Sequence, residues 1–267
     1  MKFTDVLKLL PSLLVTAGIV VFWYDDFVAT MVAAIFFWLV IPVAIAAIVL
    51  FFLSLKRKDT GQKVIVWYGL FNLLLLVAYI AFGVPRQRCD PETMARHYEQ
   101  HSTELDELCS YAVDAVDAVD DSCGVTLEWT HGQISMFHIE KAGQHRKTWS
   151  EESIAKQDSL MRAVGLTPDE MKGIRQRLKH AGCIGIEASK AKPHTVAVWF
   201  RRVGMGRYDF LINDTLLTDE ERKEAMDDLS LIPYNERVVF RYGGGAVGPQ
   251  VFSRTERDEY LDKHHPW

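Results

Sequence analysis

The 267-residue sequence contains no GK[ST] tripeptide and no GxSxG pentapeptide, and its four cysteines, Cys89, Cys109, Cys123 and Cys183, form no CxxC pair. The first absence removes the P-loop signature for phosphate binding. The second removes the nucleophile elbow of α/β-hydrolases, although a triad assembled only in three dimensions would leave no such trace. The third removes the structural zinc pattern, and the thiols neither demand nor forbid disulfides. Charge is also missing locally: no Asp, Glu, Lys, Arg or His lies deep inside three long apolar runs, residues 6–24, 27–55 and 64–84. Secondary transport, which relies on ionisable groups inside the bilayer, is therefore disfavoured.

Each run is long enough to cross a hydrocarbon layer of about 30 Å, which predicts three transmembrane helices. The middle run overshoots that thickness at about 1.5 Å per residue yet is too short for two crossings, so tilt and a kink at Pro42 are expected. The first run passes through "WYDDF" into the second without a cleavage site, so it is read as a retained span and not a signal peptide. Trp23, Tyr24, Trp67 and Tyr68 lie near the ends of their runs, where aromatic rings favour the headgroup zone. Pro11, Thr16, Thr30, Pro42 and Asn72 are scattered polar or helix-bending positions in these runs, while Ala29 and Ala33 allow close helix approach. The loop "KRKDTGQK" sets Lys56, Arg57, Lys58 and Lys63 against Asp59, whereas the opposite turn carries Asp25 and Asp26. The positive-inside rule puts the basic loop and the N-terminus in the cytoplasm and residues 85–267 outside an inner or plasma membrane, with Arg86 and Arg88 pulling the other way.

Residues 85–267 hold 24 Lys and Arg against 31 Asp and Glu, a formal charge of −7 that disfavours a nucleic-acid partner. "CDPETM" predicts a helix start at Asp90 and Pro91, and the helix extends to about Asp120. Its apolar stripe is Met94, Tyr98, His101, Leu105, Leu108, Ala112, Val116 and Val119. "AVDAVDAVDD" is the end of that amphipathic helix, since the glycine and terminal glutamate of a calcium loop are missing. "GVTLEWTHGQISMFHI" reads as a hairpin. Helices follow over residues 151–164 and from "TPDE", where Thr167 and Glu170 form a capping box. "CIGIEAS" is a strand, and "HTVAVWFRRVGMGRYDFLIND" a second hairpin around Gly204 and Gly206. "TDEERKEAMDDL" is a helix capped by Thr218 with Glu221, and "ERVVFRY" another strand. These elements predict an α+β soluble domain over residues 85–267 with a mainly antiparallel sheet and helices on one face, joined to a transmembrane region over residues 1–84.

In "RYGGGAVGPQVF", Gly243, Gly245 and Gly248 match the GxGxxG spacing. A dinucleotide loop must lead from a strand into a helix whose N-terminus holds the pyrophosphate. Here Pro249 and "QVFSR" read as an extended return, and only 19 residues follow Gly248. The glycines are thus read as a hairpin turn, with no cofactor. Arg201, Arg202, Arg207, Arg237 and Arg241 flank the two glycine turns. With the amides of Gly243, Gly244 and Gly245 they form a candidate anion site; the plainer reading is solvated arginines alternating on strands. His97, His101 and Glu104 share one side of a helix as a candidate metal set. Tyr98 stands where the general-base glutamate of HExxH belongs, however, and both histidines border the apolar stripe, which favours packed rings.

"SLMRAVGLTPDEMKGIRQRLKHAGCIGIE" followed by a hairpin is similar to a winged helix-turn-helix, with Lys172, Arg175, Arg177 and Lys179 as its phosphate contacts. That resemblance requires a cytoplasmic domain and opposes the acidic balance. The functional expectation is a non-enzymatic integral membrane protein, embedded in lipid as a homo-oligomer. Its soluble domain is expected to recognise a protein partner or small anionic ligand at the cell envelope. A ligand-gated pore and a membrane-tethered helix-turn-helix regulator are the alternatives.

Overall fold

The two blocks of unlike sequence form two compact units in the computed structural model, one running to Arg88 and the other beginning at Cys89. The structure describes residues 3–24, 26–55, 60–83, 89–117, 123–130, 133–141, 144–149, 165–203, 206–243 and 250–264. The helix expected over 151–164 lies outside the described residues.

The first unit contains α1 (Phe3–Tyr24), α2 (Asp26–Ile35), α3 (Phe37–Leu55) and α4 (Thr60–Ala78), the last continued by a π turn over Tyr79–Gly83. Val6–Tyr24, Phe37–Leu55 and Thr60–Gly83 are long and apolar enough to cross a membrane. The middle run breaks at Phe36 and not at Pro42, which sits inside α3. The amides of Leu39 and Val40 both point to the Phe36 carbonyl, at 2.8 and 3.0 Å. This local tightening turns the chain before the prolyl ring, which has no N–H to offer the preceding turn. α2, at ten residues, spans only about 15 Å by helical rise and extends the crossing without adding one.

α1, α3 and α4 pack against one another, with Leu9, Ala29 and Ile65 among the buried residues. Most large apolar side chains of this unit face outward, whereas Ser12, Ser54, Gln62 and Asn72 are buried. A bilayer would solvate the former, but the latter must find partners inside the helix cluster. Asn72 Nδ2 donates to the Ser12 carbonyl at 2.9 Å, and Thr16 Oγ1 donates to Asn72 Oδ1 at 2.5 Å, stapling α4 to α1. Ser54 Oγ donates to Gln62 Oε1 at 2.6 Å between α3 and α4. Asn72→Leu should loosen the α1–α4 contact by about 1 kcal/mol, the scale of such bonds between membrane helices. Unfolding in mixed micelles measures it, and an unchanged midpoint would show that the staple adds nothing net.

The second unit begins with α5 (Pro91–Asp117), whose first turn is capped by Asp90 Oδ1 accepting from the Thr93 amide at 2.8 Å. Strands β1 (Cys123–Thr130), β2 (Gln133–Lys141) and β3 (Gln144–Trp149) follow, then α6 (Pro168–His180), β4 (Gly185–Ser189), β5 (Thr195–Val203) and β6 (Gly206–Asn213). α7 (Asp219–Asp227), β7 (Leu231–Pro233), β8 (Val238–Gly243) and α8 (Arg254–His264) complete it. The expected capping boxes are present at Thr167/Glu170 of α6 and Thr218/Glu221 of α7. The eight strands form one sheet in the order β3-β2-β1-β4-β5-β6-β8-β7, antiparallel in the β1–β2, β1–β4, β2–β3, β4–β5, β6–β8 and β7–β8 pairs.

Register sorts the side chains onto two faces, because alternate residues of a strand point oppositely. Phe137, Leu127, Ile186 and Val198 lie in one row across β2, β1, β4 and β5, and all are fully buried. α5 packs on β1 and β4, and α6 and α8 pack in turn against α5. α7 departs from the expected one-sided cover: its Ala225 joins Leu217 and Val239 in a small satellite core, with Leu211 and Leu231 against it. In register Leu211 faces Val239 on the same side as Asp209 and Arg241, which is the side opposite Phe210 and Phe240. Alternation within each strand shows two faces but not which helix returns to which face.

Three elements have no counterpart among the expectations: β3, β7 and α8. The glycine hairpin also needs correction. Among the described residues no strand returns after β8; residues 250–253 are irregular and lead into α8. Both sides of β8 are already paired, with β6 and β7, so a returning strand has no edge to join.

Candidate functional site

On the face turned away from α5, the neighbouring row runs Met136, Glu128, Gly185 and Trp199 across the same four strands. A Cβ on Gly185 would stand 2.5 Å from the Leu127 carbonyl oxygen and 2.8 Å from Trp199 Cε3, so only glycine lets the indole lie across β4. Trp199 is 1% exposed although it faces away from the main core. The Arg207 guanidinium covers it, 3.6 Å from the ring centroid. The indole Nε1 is buried and has no hydrogen-bond partner among the described residues. An unpaired buried donor of this kind costs about 1–3 kcal/mol.

Charges form a ladder beside the indole. Glu128, 3% exposed, holds Arg202 through a two-pronged ion pair in which Nε donates to Oε1 and Nη2 donates to Oε2 at 3.0 Å. Asp209, 1% exposed, accepts from Arg207 Nε at 2.6 Å and Nη2 at 2.9 Å, and from Arg241 Nε at 2.9 Å and Nη2 at 2.6 Å. The positions follow from pairing: Asp209 sits opposite Arg241 across β6 and β8, and Arg207 is two residues back on the same face of β6. One carboxylate thus answers two guanidinium groups, and the trio carries a surplus positive charge.

A cavity of about 250 Å³ opens next to this ladder, lined by Thr126, Met136, His138, Glu187, Trp199 and Arg207 among others. A larger hollow of about 410 Å³ lies beside α7 over Leu211, Leu217 and Val239, rimmed by Lys192, His194, Glu221 and Glu224. The smaller cavity is lined by Trp199 and by Arg207 of the charge ladder, whereas no member of the ladder lines the larger one. The chemistry therefore favours the smaller one.

Of the five arginines singled out, the fold brings three together on this face: Arg202, Arg207 and Arg241. Arg201 departs from them, with its guanidinium 4.9 Å from the Phe200 ring and close enough to His97 and Cys89 to act on both electrostatically. Arg237 sits at the opposite end of β8, where its Nε donates to the Asn213 carbonyl at 2.8 Å. Gly243 pairs with Arg207 at the end of β8, and an added Cβ there would meet open space, so close approach does not require a glycine. Gly244 and Gly245 lie outside the described residues. Trp199, Glu128, Glu187 and Asp209 were not foreseen. Asp209 did leave a signal, as a lone acid between Tyr208 and Phe210 in an otherwise apolar strand.

The histidine pair is packed into the domain. His97 and His101 have ring centroids 4.6 Å apart, and His97 also stacks on Phe200 at 4.2 Å. His97 Nε2 lies 2.8 Å from the Ala181 carbonyl at the C-cap of α6, to which it donates as the neutral ring. The next residue, Gly182, has φ +62, and a Cβ on it would come within 2.9 Å of His97 Cε1. Glycine is thus needed here both for the left-handed turn and for the histidine's approach. His101 departs from helical geometry at φ −127, ψ 21, and its Nδ1 is buried without a partner. Among the described residues no group of three His, Cys, Asp or Glu side chains could hold a metal ion, so His97, His101 and Glu104 are not brought into a ligand set.

Burial holds the His97 pKa below its ordinary value, helped by His101 and Arg201 and opposed by the Ala181 bond. The folded state thus binds fewer protons than the unfolded chain once pH drops under the unfolded value of about 6.5. Stability from this site is complete above that pH and declines as pH falls toward the depressed folded value. Thermal melts from pH 7.5 to 5.5 should show the loss, and His97→Phe should flatten it; identical slopes in both proteins would reject the assignment.

Cys89, Cys109 and Cys183 are free thiols. Burial pushes Cys89 up to about 12 and raises Cys109 and Cys183 as well, so all three are protonated at neutral pH and poor nucleophiles. In α6, Arg177 stacks on Tyr111 at 3.9 Å, and Met171, Ile174 and Leu178 are buried, while Lys172, Arg175 and Lys179 are exposed.

No protein-family model, curated protein or solved structure matches the chain. Fold and composition define its class, three membrane-length apolar helices followed by an α+β domain with an antiparallel sheet.

Proposed function

We propose that this is a non-enzymatic membrane protein, anchored as an oligomer by its three helices, whose folded domain recognises a small anionic ligand or an anionic group presented by a protein partner at the cell envelope. The observation that carries this reading is the surplus positive charge of Arg207, Asp209 and Arg241 beside a cavity that Arg207 and Trp199 line. An anionic oxygen in the cavity would pair with the Arg207 guanidinium and answer that surplus. The pore and DNA-binding readings draw less support. The buried Asn72 and Gln62 are hydrogen-bonded to groups of the same helix cluster, and α6 turns its apolar side and Arg177 into the domain.

The full chain in detergent, titrated calorimetrically with butyrate and with inorganic phosphate, tests the site. Arg207→Gln removes the lining cation, so it should weaken binding of both anions about ten-fold, the worth of one hydrogen bond to a charged group. Equal binding by both proteins would reject the role of Arg207. Light scattering in detergent checks the oligomer, which a strictly monomeric species would contradict. Labelling of intact cells with an impermeant reagent checks that residues 85–267 face outward.

A further inference from the structure

We infer that the ligand of the Trp199 cavity is a small zwitterion, an amino acid or a close analogue, and not a simple anion. This rests on the anion-binding reading of the same cavity and adds a second recognition element to it. One strand beyond Trp199, Glu187 of β4 also lines the cavity; it is partly buried and has neither a hydrogen-bond nor an ion-pair partner among the described residues. In register it stands between Thr126 of β1 and Ala197 of β5, so the neighbour on one side is a hydroxyl and on the other a single methyl. Neither group can neutralise a carboxylate.

The charged groups that line the cavity, Arg207 and Glu187, are thus of opposite sign. Arg207 of β6 brings the surplus positive charge of its trio with Asp209 and Arg241. Glu187 offers an unpaired negative charge from β4. Strands two apart are separated by roughly 10 Å, and Arg207 reaches over the intervening Trp199, which leaves a span suited to a few-atom ligand charged at both ends. A volume of about 250 Å³ falls below the range of about 300–1,000 Å³ typical for drug-sized ligands, consistent with a small metabolite. A simple anion would answer Arg207 but stand near an uncompensated Glu187. A simple amine would do the reverse. Only a ligand with both charges satisfies both ends, and discrimination of this kind is strong because the wrong ligand leaves a charged group of the site unpaired.

Calorimetric titration of the full chain in detergent with glycine, β-alanine, γ-aminobutyrate, butyrate and butylamine decides the point. At least one zwitterion should bind ten-fold or more tightly than both butyrate and butylamine. Glu187→Gln, which is nearly isosteric, should bring that zwitterion down to the level of butyrate while leaving butyrate binding unchanged or tighter. If butyrate binds wild type as well as every zwitterion, or if Glu187→Gln preserves the preference, the zwitterion inference fails and the anion reading stands. If no probe binds, both fail.

Discussion

Asp209→Ala is expected to destabilise the α+β domain by about 3–5 kcal/mol, the cost of removing one partner from a buried ion pair. Asp209 is 1% exposed and is the common acceptor for Arg207 and Arg241, whose side chains are only 14% and 29% exposed. Alanine would leave two guanidinium groups beside each other without a counter-ion, one of them pressed against the Trp199 ring. Total stabilities of about 5–15 kcal/mol make such a loss a large share of the whole. Urea unfolding should show a lower midpoint at unchanged slope, since the native surface hardly changes. Asp209→Asn keeps the shape and one acceptor while deleting the charge, so it should fall between alanine and wild type. A midpoint for Asp209→Ala matching wild type would mean that the ladder is only a surface feature.

Arg257→Ala should cost about 2–4 kcal/mol, for a different reason. Arg257 is on α8, 5% exposed, and its Nε donates to the Leu231 carbonyl at 3.0 Å. Nη2 donates to the carbonyls of Ala225, at 3.1 Å, and Met226. The last two belong to the final turn of α7, where helix carbonyls lack partners of their own and the helix dipole attracts a cation. One guanidinium therefore joins α7, β7 and α8. Alanine strands three carbonyls. Lysine should recover only part of the loss, because a point charge lacks the fork that reaches several acceptors at once. Hydrogen exchange should locate the damage in α7 and β7, with the amides of β1 and β4 keeping their protection. A loss below about 0.5 kcal/mol, the size of an ordinary surface change, would contradict the proposed clamp.

Parts of this molecule were legible residue by residue. Thr167 with Glu170 and Thr218 with Glu221 announced two helix starts, because a capping box is a contact between neighbours in sequence. The stripe from Met94 to Val116 announced the buried side of α5 for the same reason: helical periodicity is local. β7 escaped notice because three residues ending in a proline carry almost no strand signal, and α8 because "RTERDEYLDKH" is polar on most of its surface. Within the site, alternation along β6 suffices to place Arg207 with Asp209. The pairing of Asp209 with Arg241 depends on β8 lying directly beside β6, although β7 comes between them in the chain.

The sequence by itself determined where the apolar helices run, where the folded domain begins and most of its helix starts, since hydropathy, periodicity and capping act over a few residues. Tertiary structure alone decided the strand order, the α7 side of the sheet, and which of five arginines share a face with Asp209, Glu128 and Trp199. Those outcomes rest on contacts between residues distant in the chain. Strand alternation says that a side chain faces one way or the other, and only the register of paired strands says what it meets there.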